Sequence, residues 1–123
     1  YKMNPSHIDE TKIVTLPDGL YKNVKGQVLI SPACGSDEYV LRLFHIAQGG
    51  YSANHEHDYP HYVYVVEGEG YVEVNHEKFP IKAGSYAFIP NNAQHQLVNT
   101  ATDGQTLKFL CMVPVEGHKG FPE

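Results

Sequence analysis

The chain has 123 residues, 41% of them hydrophobic, which suits one compact domain with a real core. A formal charge of −5 excludes a general basic surface for nucleic acid, and no apolar run is long enough to span a bilayer. Cys34 and Cys111 are too few for a disulfide framework, so a reducing, cytoplasmic setting is the expectation.

Eleven Gly and eight Pro predict many turns and short elements rather than long helices. Residues 1–25 are weakly patterned and read as an N-terminal arm or short edge strands. A barrel follows over 26–116, and 117–123 read as a C-terminal tail. Within the barrel, 26–33 carry the apolar run VLI up to Pro32. Residues 38–47 (EYVLRLFHIA) are rich in β-formers and stop at Gly49-Gly50. Residues 51–57 alternate and are polar. Residues 61–67 (HYVYVVE) are β-branched and aromatic. After 71–74, Asn75-His76 is a hairpin turn into 79–81. Residues 85–89 lead into the turn Pro90-Asn91-Asn92. Two further strands follow over 94–99 and 106–113. No stretch shows a 3.6-residue apolar period, so the fold class is all-β, a sandwich or closed barrel.

Histidine is the anomaly: there are eight, and His55, His57, His61 and His95 fall in one stretch of the chain. His55 and His57 are two apart, so on a strand both imidazoles share a face. Pro60 interrupts that strand and His61 opens the next. His95 arrives from a distant strand. Several imidazoles on one face suit a divalent transition metal. The other histidines, His7, His45, His76 and His118, read as structural or surface groups.

Residues 50–70 read GYSANHEHDYPHYVYVVEGEG, and 84–99 read GSYAFIPNNAQHQLVN. These resemble the two motifs of the cupin superfamily, in which an HxH pair, a Glu and a Gly are followed by a G-PxG-H-N pattern. The spacing between ligand positions agrees. Two letters depart: His61 stands where the family usually has Glu, and Asn92 where it usually has Gly. Asn tolerates the left-handed conformation a turn glycine supplies. The chain looks like the compact four-histidine cupins that bind manganese, which the last strand FLCMVP also resembles.

The resemblance implies a cupin jelly-roll β-barrel. It implies metal ligands His55, His57 and His95, with His61 as a fourth. Replacing Glu by neutral His leaves the site one charge more positive, which favours an anionic guest and a divalent resting metal. Zn settles more often at four ligands, so Mn and Fe rank above it, with Ni and Cu also suited to imidazole. Small cupins of this kind usually form homodimers, which the arm at 1–25 could extend.

Parity places Val63 and Val65 on the face of His61, and Leu97 and Asn99 on that of His95. On the last strand the resemblance favours Phe109, Cys111 and Val113 facing inward. Val63, Leu97 and Phe109 are thus expected pocket walls, and Cys111 a reactive group near the metal or plain core. Arg42 interrupts YVLRLF and is the candidate anchor for a substrate carboxylate, the alternative being an arginine facing water. Tyr59, Tyr62 and Tyr64 read as packing or interface residues, with an acid/base role open to one of them. The leading functional reading is a metal-dependent oxygenase acting on a small anionic or enolisable substrate. The alternatives are a redox-neutral isomerase, lyase or cyclase acting on a sugar acid or dicarbonyl, and a small-ligand-binding module without catalysis.

Overall fold

The structure, a computed structural model, describes residues 5–119 and 121. The beginning of the expected arm (1–4) and parts of the expected tail (120, 122 and 123) lie outside the described residues. Nine strands and three short 3-10 turns make up the ordered elements among the described residues. The strands are β1 (Val14–Thr15), β2 (Lys22–Ile30), β3 (Tyr39–Tyr51), β4 (His61–Glu67), β5 (Glu69–Val74), β6 (Glu77–Lys82), β7 (Tyr86–Ile89), β8 (His95–Asn99) and β9 (Leu107–Pro114). They join in the order β6-β5-β8-β3-β9-β4-β7, with β2 on β3 and β1 on β2, all antiparallel. The sheet curls into a nearly closed barrel, the all-β jelly roll that the motifs imply.

Period-two burial shows why these segments are strands. On β4, His61, Val63 and Val65 are buried while Tyr62 and Tyr64 face out. On β9, Leu107, Phe109, Cys111 and Val113 are buried and their neighbours are not. Branched and aromatic side chains suit this half-buried pleat. The inward set fills one end of the barrel as core, with Ile46, Val65 and Leu107 almost wholly enclosed. At the other end the inward positions are histidines.

Three local features depart from the sequence expectations. First, Gly49-Gly50 bends β3 rather than ending it. Gly49 has φ +78°, and a Cβ on Gly50 would sit 2.4 Å from the Lys22 carbonyl. The register jumps from Val24↔Ile46 to Lys22↔Tyr51 across this bulge, and Tyr51 then pairs with Val98 of β8. Second, 51–57 is not a continuous strand. After Tyr51 the Ser52 N–H still donates to the Leu97 carbonyl, and His55 forms an isolated bridge to His95. The Ser52 hydroxyl accepts the Leu97 N–H and so takes the place of a ladder partner. Third, β2 starts at Lys22 rather than 26, joined by β1 as a short edge strand of the kind expected within 1–25. The half-exposed VLI run suggested that boundary, but Val24 makes the core contact, at 1% exposure. Val14 pairs with Gly26, and the buried Gln27 donates to the carbonyls of Ile8 and Thr11, pinning the preceding segment to β2.

The Asn75-His76 turn has both residues at positive φ, 49° and 67°, as a tight hairpin requires. Asn92 lies at φ 63°, the left-handed position expected where the motif usually has glycine.

Candidate metal centre

His57, His61 and His95 converge, with one ring nitrogen from each lying within 4.8 Å of the others. Each arrives by a different route. His61 is the first inward residue of β4, released by Pro60 just before it. His95 is the first inward residue of β8. His57 lies on a loop, and its carbonyl accepts the Asn92 N–H, so the left-handed turn of the second motif holds the first motif in place. His55 stands beside the group rather than in it. Its backbone exchanges two hydrogen bonds with His95, and its Nδ1 lies 3.1 Å from His57 Nε2.

The second ring nitrogens show which atoms are free to bind. His95 Nδ1 lies 3.1 Å from the Ala93 carbonyl, so it carries the proton and leaves Nε2 with its lone pair. His61 Nδ1 lies 3.5 Å from Cys111 Sγ, while its Nε2 is buried with no partner. A buried polar atom without a partner is costly, and a cation at the convergence point removes that cost. Imidazole donors of borderline softness therefore fit a divalent transition metal here. A metal held by both His55 and His57 excludes their mutual hydrogen bond, since coordination uses the lone pair on each nitrogen.

Electrostatics keeps the imidazoles neutral. Burial, reinforced by the neighbouring histidines and Arg42, pushes His57 down to about 4. The same causes, burial first, bring His61 down to about 3. His55 and His95 are also lowered by burial, the latter partly offset by its bond to Ala93. Neutral imidazole is the form that binds metal.

The histidines open on a cavity of about 340 Å³. Val63, Leu97 and Phe109 form its apolar walls, and Arg42 and Cys111 line it too. Arg42 faces inward at 6% exposure, not into water, and pairs with Cys111 across β3 and β9. Its Nη2 donates to Cys111 Sγ at 3.3 Å. Burial pushes the Cys111 thiol up, opposed by Arg42. Asn99 shares the parity of His95 but does not line the cavity. Its amide donates to the carbonyls of Ile46 and Gln105, tying strand ends together.

Some cavity residues carried no sequence signal. Tyr21, Gly117 and Phe121 come from segments outside the motifs and reach the cavity only through the fold. Of the three clustered tyrosines, Tyr59 alone turns inward. Its ring stacks on His57 at 4.7 Å and 10° between planes. Tyr62 and Tyr64 point outward. Burial raises the phenols of Tyr59 and Tyr21, against the pull of Arg42, so both keep their protons at neutral pH.

The fold and the histidine group define a small barrel competent to bind a metal. The sequence profile described as a cupin domain matches residues 42–113, more than half of the chain, and the protein belongs to the cupin family. Among curated proteins, none matches. Solved structures do. The polyketide cyclase RemF from Streptomyces resistomycificus is 26% identical, with a TM-score of 0.84 over 93% of this chain and 80% of that one. A cupin-2 domain protein from Rhodospirillum rubrum is 25% identical, with a TM-score of 0.77 over 93% and 77%. KdgF from a Halomonas species shares the fold at 16% identity, with a TM-score of 0.75 over 90% and 94%. No described helix is long and apolar enough to cross a membrane.

Proposed function

We propose that this cupin is a metal-dependent, redox-neutral enzyme of the cyclase, lyase or isomerase class, acting on a small anionic substrate with an enolisable carbonyl. The observation that carries this reading is the phenol of Tyr59, stacked on His57 in the same cavity as the histidine group. A bound divalent metal, with Mn and Fe the best candidates, supplies Lewis-acid polarisation of a carbonyl. The chain's own residues do the rest. His57, His61 and His95 would hold the metal, and His55 would join as a fourth ligand on giving up its hydrogen bond to His57. Tyr59, kept protonated by burial, donates a proton to the carbonyl oxygen on which negative charge develops. Val63, Leu97 and Phe109 exclude water from the reacting atoms. The likeness to a polyketide cyclase supports this reading, since cyclisation of a poly-carbonyl chain is such chemistry.

The oxygenase reading stands second. It is favoured by the same apolar walls and the all-imidazole ligand set, which suit dioxygen at an open metal position. One assay separates the two: a β-keto acid in D₂O under nitrogen, with the α-carbon proton followed by NMR. The redox-neutral reading expects metal-dependent exchange or conversion without oxygen. Conversion that starts only when oxygen is admitted, with stoichiometric oxygen uptake, would replace it with the oxygenase.

The expected homodimer belongs to the same proposal. Its support is an aromatic stripe on the outside of the barrel, where Tyr62 pairs with Phe88 and Tyr64 with Tyr86, the last 83% exposed.

A further inference from the structure

Among the described residues, the cavity holds a buried cation with no acid to match it. Arg42 sits mid-strand on β3, 6% exposed. Its guanidinium lies over the Phe44 and Phe121 rings, 5.1 and 5.5 Å from their centroids. Nη2 reaches Cys111 Sγ, which as sulfur is a weak acceptor. Nε is buried and has no partner. Among the described residues, no carboxylate lies within ion-pair distance of Arg42, and neither Asp nor Glu lines the cavity. Lys119 does line it. The chain as a whole carries −5, so this positive interior opposes the overall charge instead of reflecting it.

A buried guanidinium with an idle N–H is costly unless an anion completes it. The planar fork of arginine matches a carboxylate through two parallel hydrogen bonds. The surroundings of that fork are flat and aromatic. Phe44 stacks on Phe109 at 5.3 Å, and Phe121 meets Phe44 edge-on at 5.8 Å. The volume, about 340 Å³, suits a guest of about two fused rings.

We propose that Arg42 is the seat of a carboxylate borne by a planar aromatic or conjugated ligand, packed against the apolar lining that Phe44 and Phe109 give the cavity. Arg42 is then the residue that fixes substrate class and orientation. This deepens the enzymatic reading and rests on it for the destination of the reacting carbonyl, at the histidine end of the cavity. The carboxylate seat itself does not need the metal, and that separates the two tests.

The experiment is calorimetric titration of chelator-treated full chain with 2-naphthoate and with its neutral isostere 2-naphthamide. The acid should bind at least about tenfold tighter than the amide, as charged hydrogen bonds of this kind provide. In Arg42→Gln that preference should vanish while amide binding persists. Arg42→Lys, which keeps the charge but loses the fork, should retain only part of it. Equal binding of acid and amide by the unaltered protein would overturn the proposal without reference to any variant. So would an undiminished preference in a folded Arg42→Gln protein. Formate binding as tightly as 2-naphthoate would overturn the aromatic part. If naphthoate binds as expected but the metal-loaded protein neither exchanges nor converts a β-keto acid, the catalytic reading fails and the carboxylate seat stands.

Discussion

The sulfur of Cys111 lies 3.5 Å from Nδ1 of His61, and the other nitrogen of the same ring, Nε2, is buried without a partner. Cys111 is itself held by Nη2 of Arg42 at 3.3 Å. The thiol thus orients the His61 imidazole from behind. Groups that orient a ligand ring in this way typically change metal affinity by about 10–100-fold when removed. Cys111→Ala should therefore weaken Mn(II) binding by about tenfold, with Cys111→Ser restoring part of it. Titration followed by electron paramagnetic resonance measures this, and an unchanged affinity in Cys111→Ala would make Cys111 plain core.

Gly117 positions Tyr59 through lack of a side chain. A Cβ there would lie 2.5 Å from Tyr59 Cε2. Gly117→Ala should push the Tyr59 ring off His57 and cost about 1–3 kcal/mol of stability by overpacking. Metal content should hold while proton exchange into a β-keto acid falls at least about tenfold, matching Tyr59→Phe. Exchange that survives both substitutions would remove Tyr59 from the chemistry.

Much of this was legible in the sequence because alternation and motif spacing are local. His61, Val63 and Val65 alternate on β4, so parity puts them on one face, and on β9 the family resemblance picked Phe109, Cys111 and Val113 as the inward set. Asn92 shows its left-handed role by residue type. The misreadings share one cause: long-range packing decided them. The Gly49-Gly50 bulge forms because β3 must leave β2 and reach β8. Strand alternation gave His55 and His57 one face, and both rings do reach the cavity, but from a loop and an isolated bridge rather than from a continuous strand. Tyr21 meets His55, and Phe121 meets Arg42, only after the chain has closed.

Acid should destabilise the metal-free protein. Unfolded imidazoles take up protons near pH 6.5, whereas burial holds His57 down to about 4 and His61 to about 3 in the fold. Between those values the unfolded state binds more protons, so stability falls as pH falls. Above about pH 7 both states are neutral at these positions and their contribution is constant. Urea midpoints of chelated protein should be flat from pH 8 to 7 and decline below about 6.5, with a shallower decline in His61→Gln. An equal decline in that variant would assign the acid sensitivity to other groups.

The aromatic stripe gives a separate test of assembly. Tyr86→Lys with Phe88→Lys should convert the proposed homodimer to a monomer, read by light scattering, and leave metal content unchanged. A monomeric unaltered protein would remove the homodimer from the proposal.

The central claim is a metal held by His57, His61 and His95. Its most direct measurement is the metal stoichiometry and Mn(II) affinity of the untagged protein beside His57→Ala, His61→Ala and His95→Ala. One equivalent in the unaltered protein is expected, with each substitution weakening binding by about tenfold or more and circular dichroism unchanged. Binding equally tight in all four proteins, or none in the unaltered one across Mn, Fe, Ni, Cu and Zn, would contradict it.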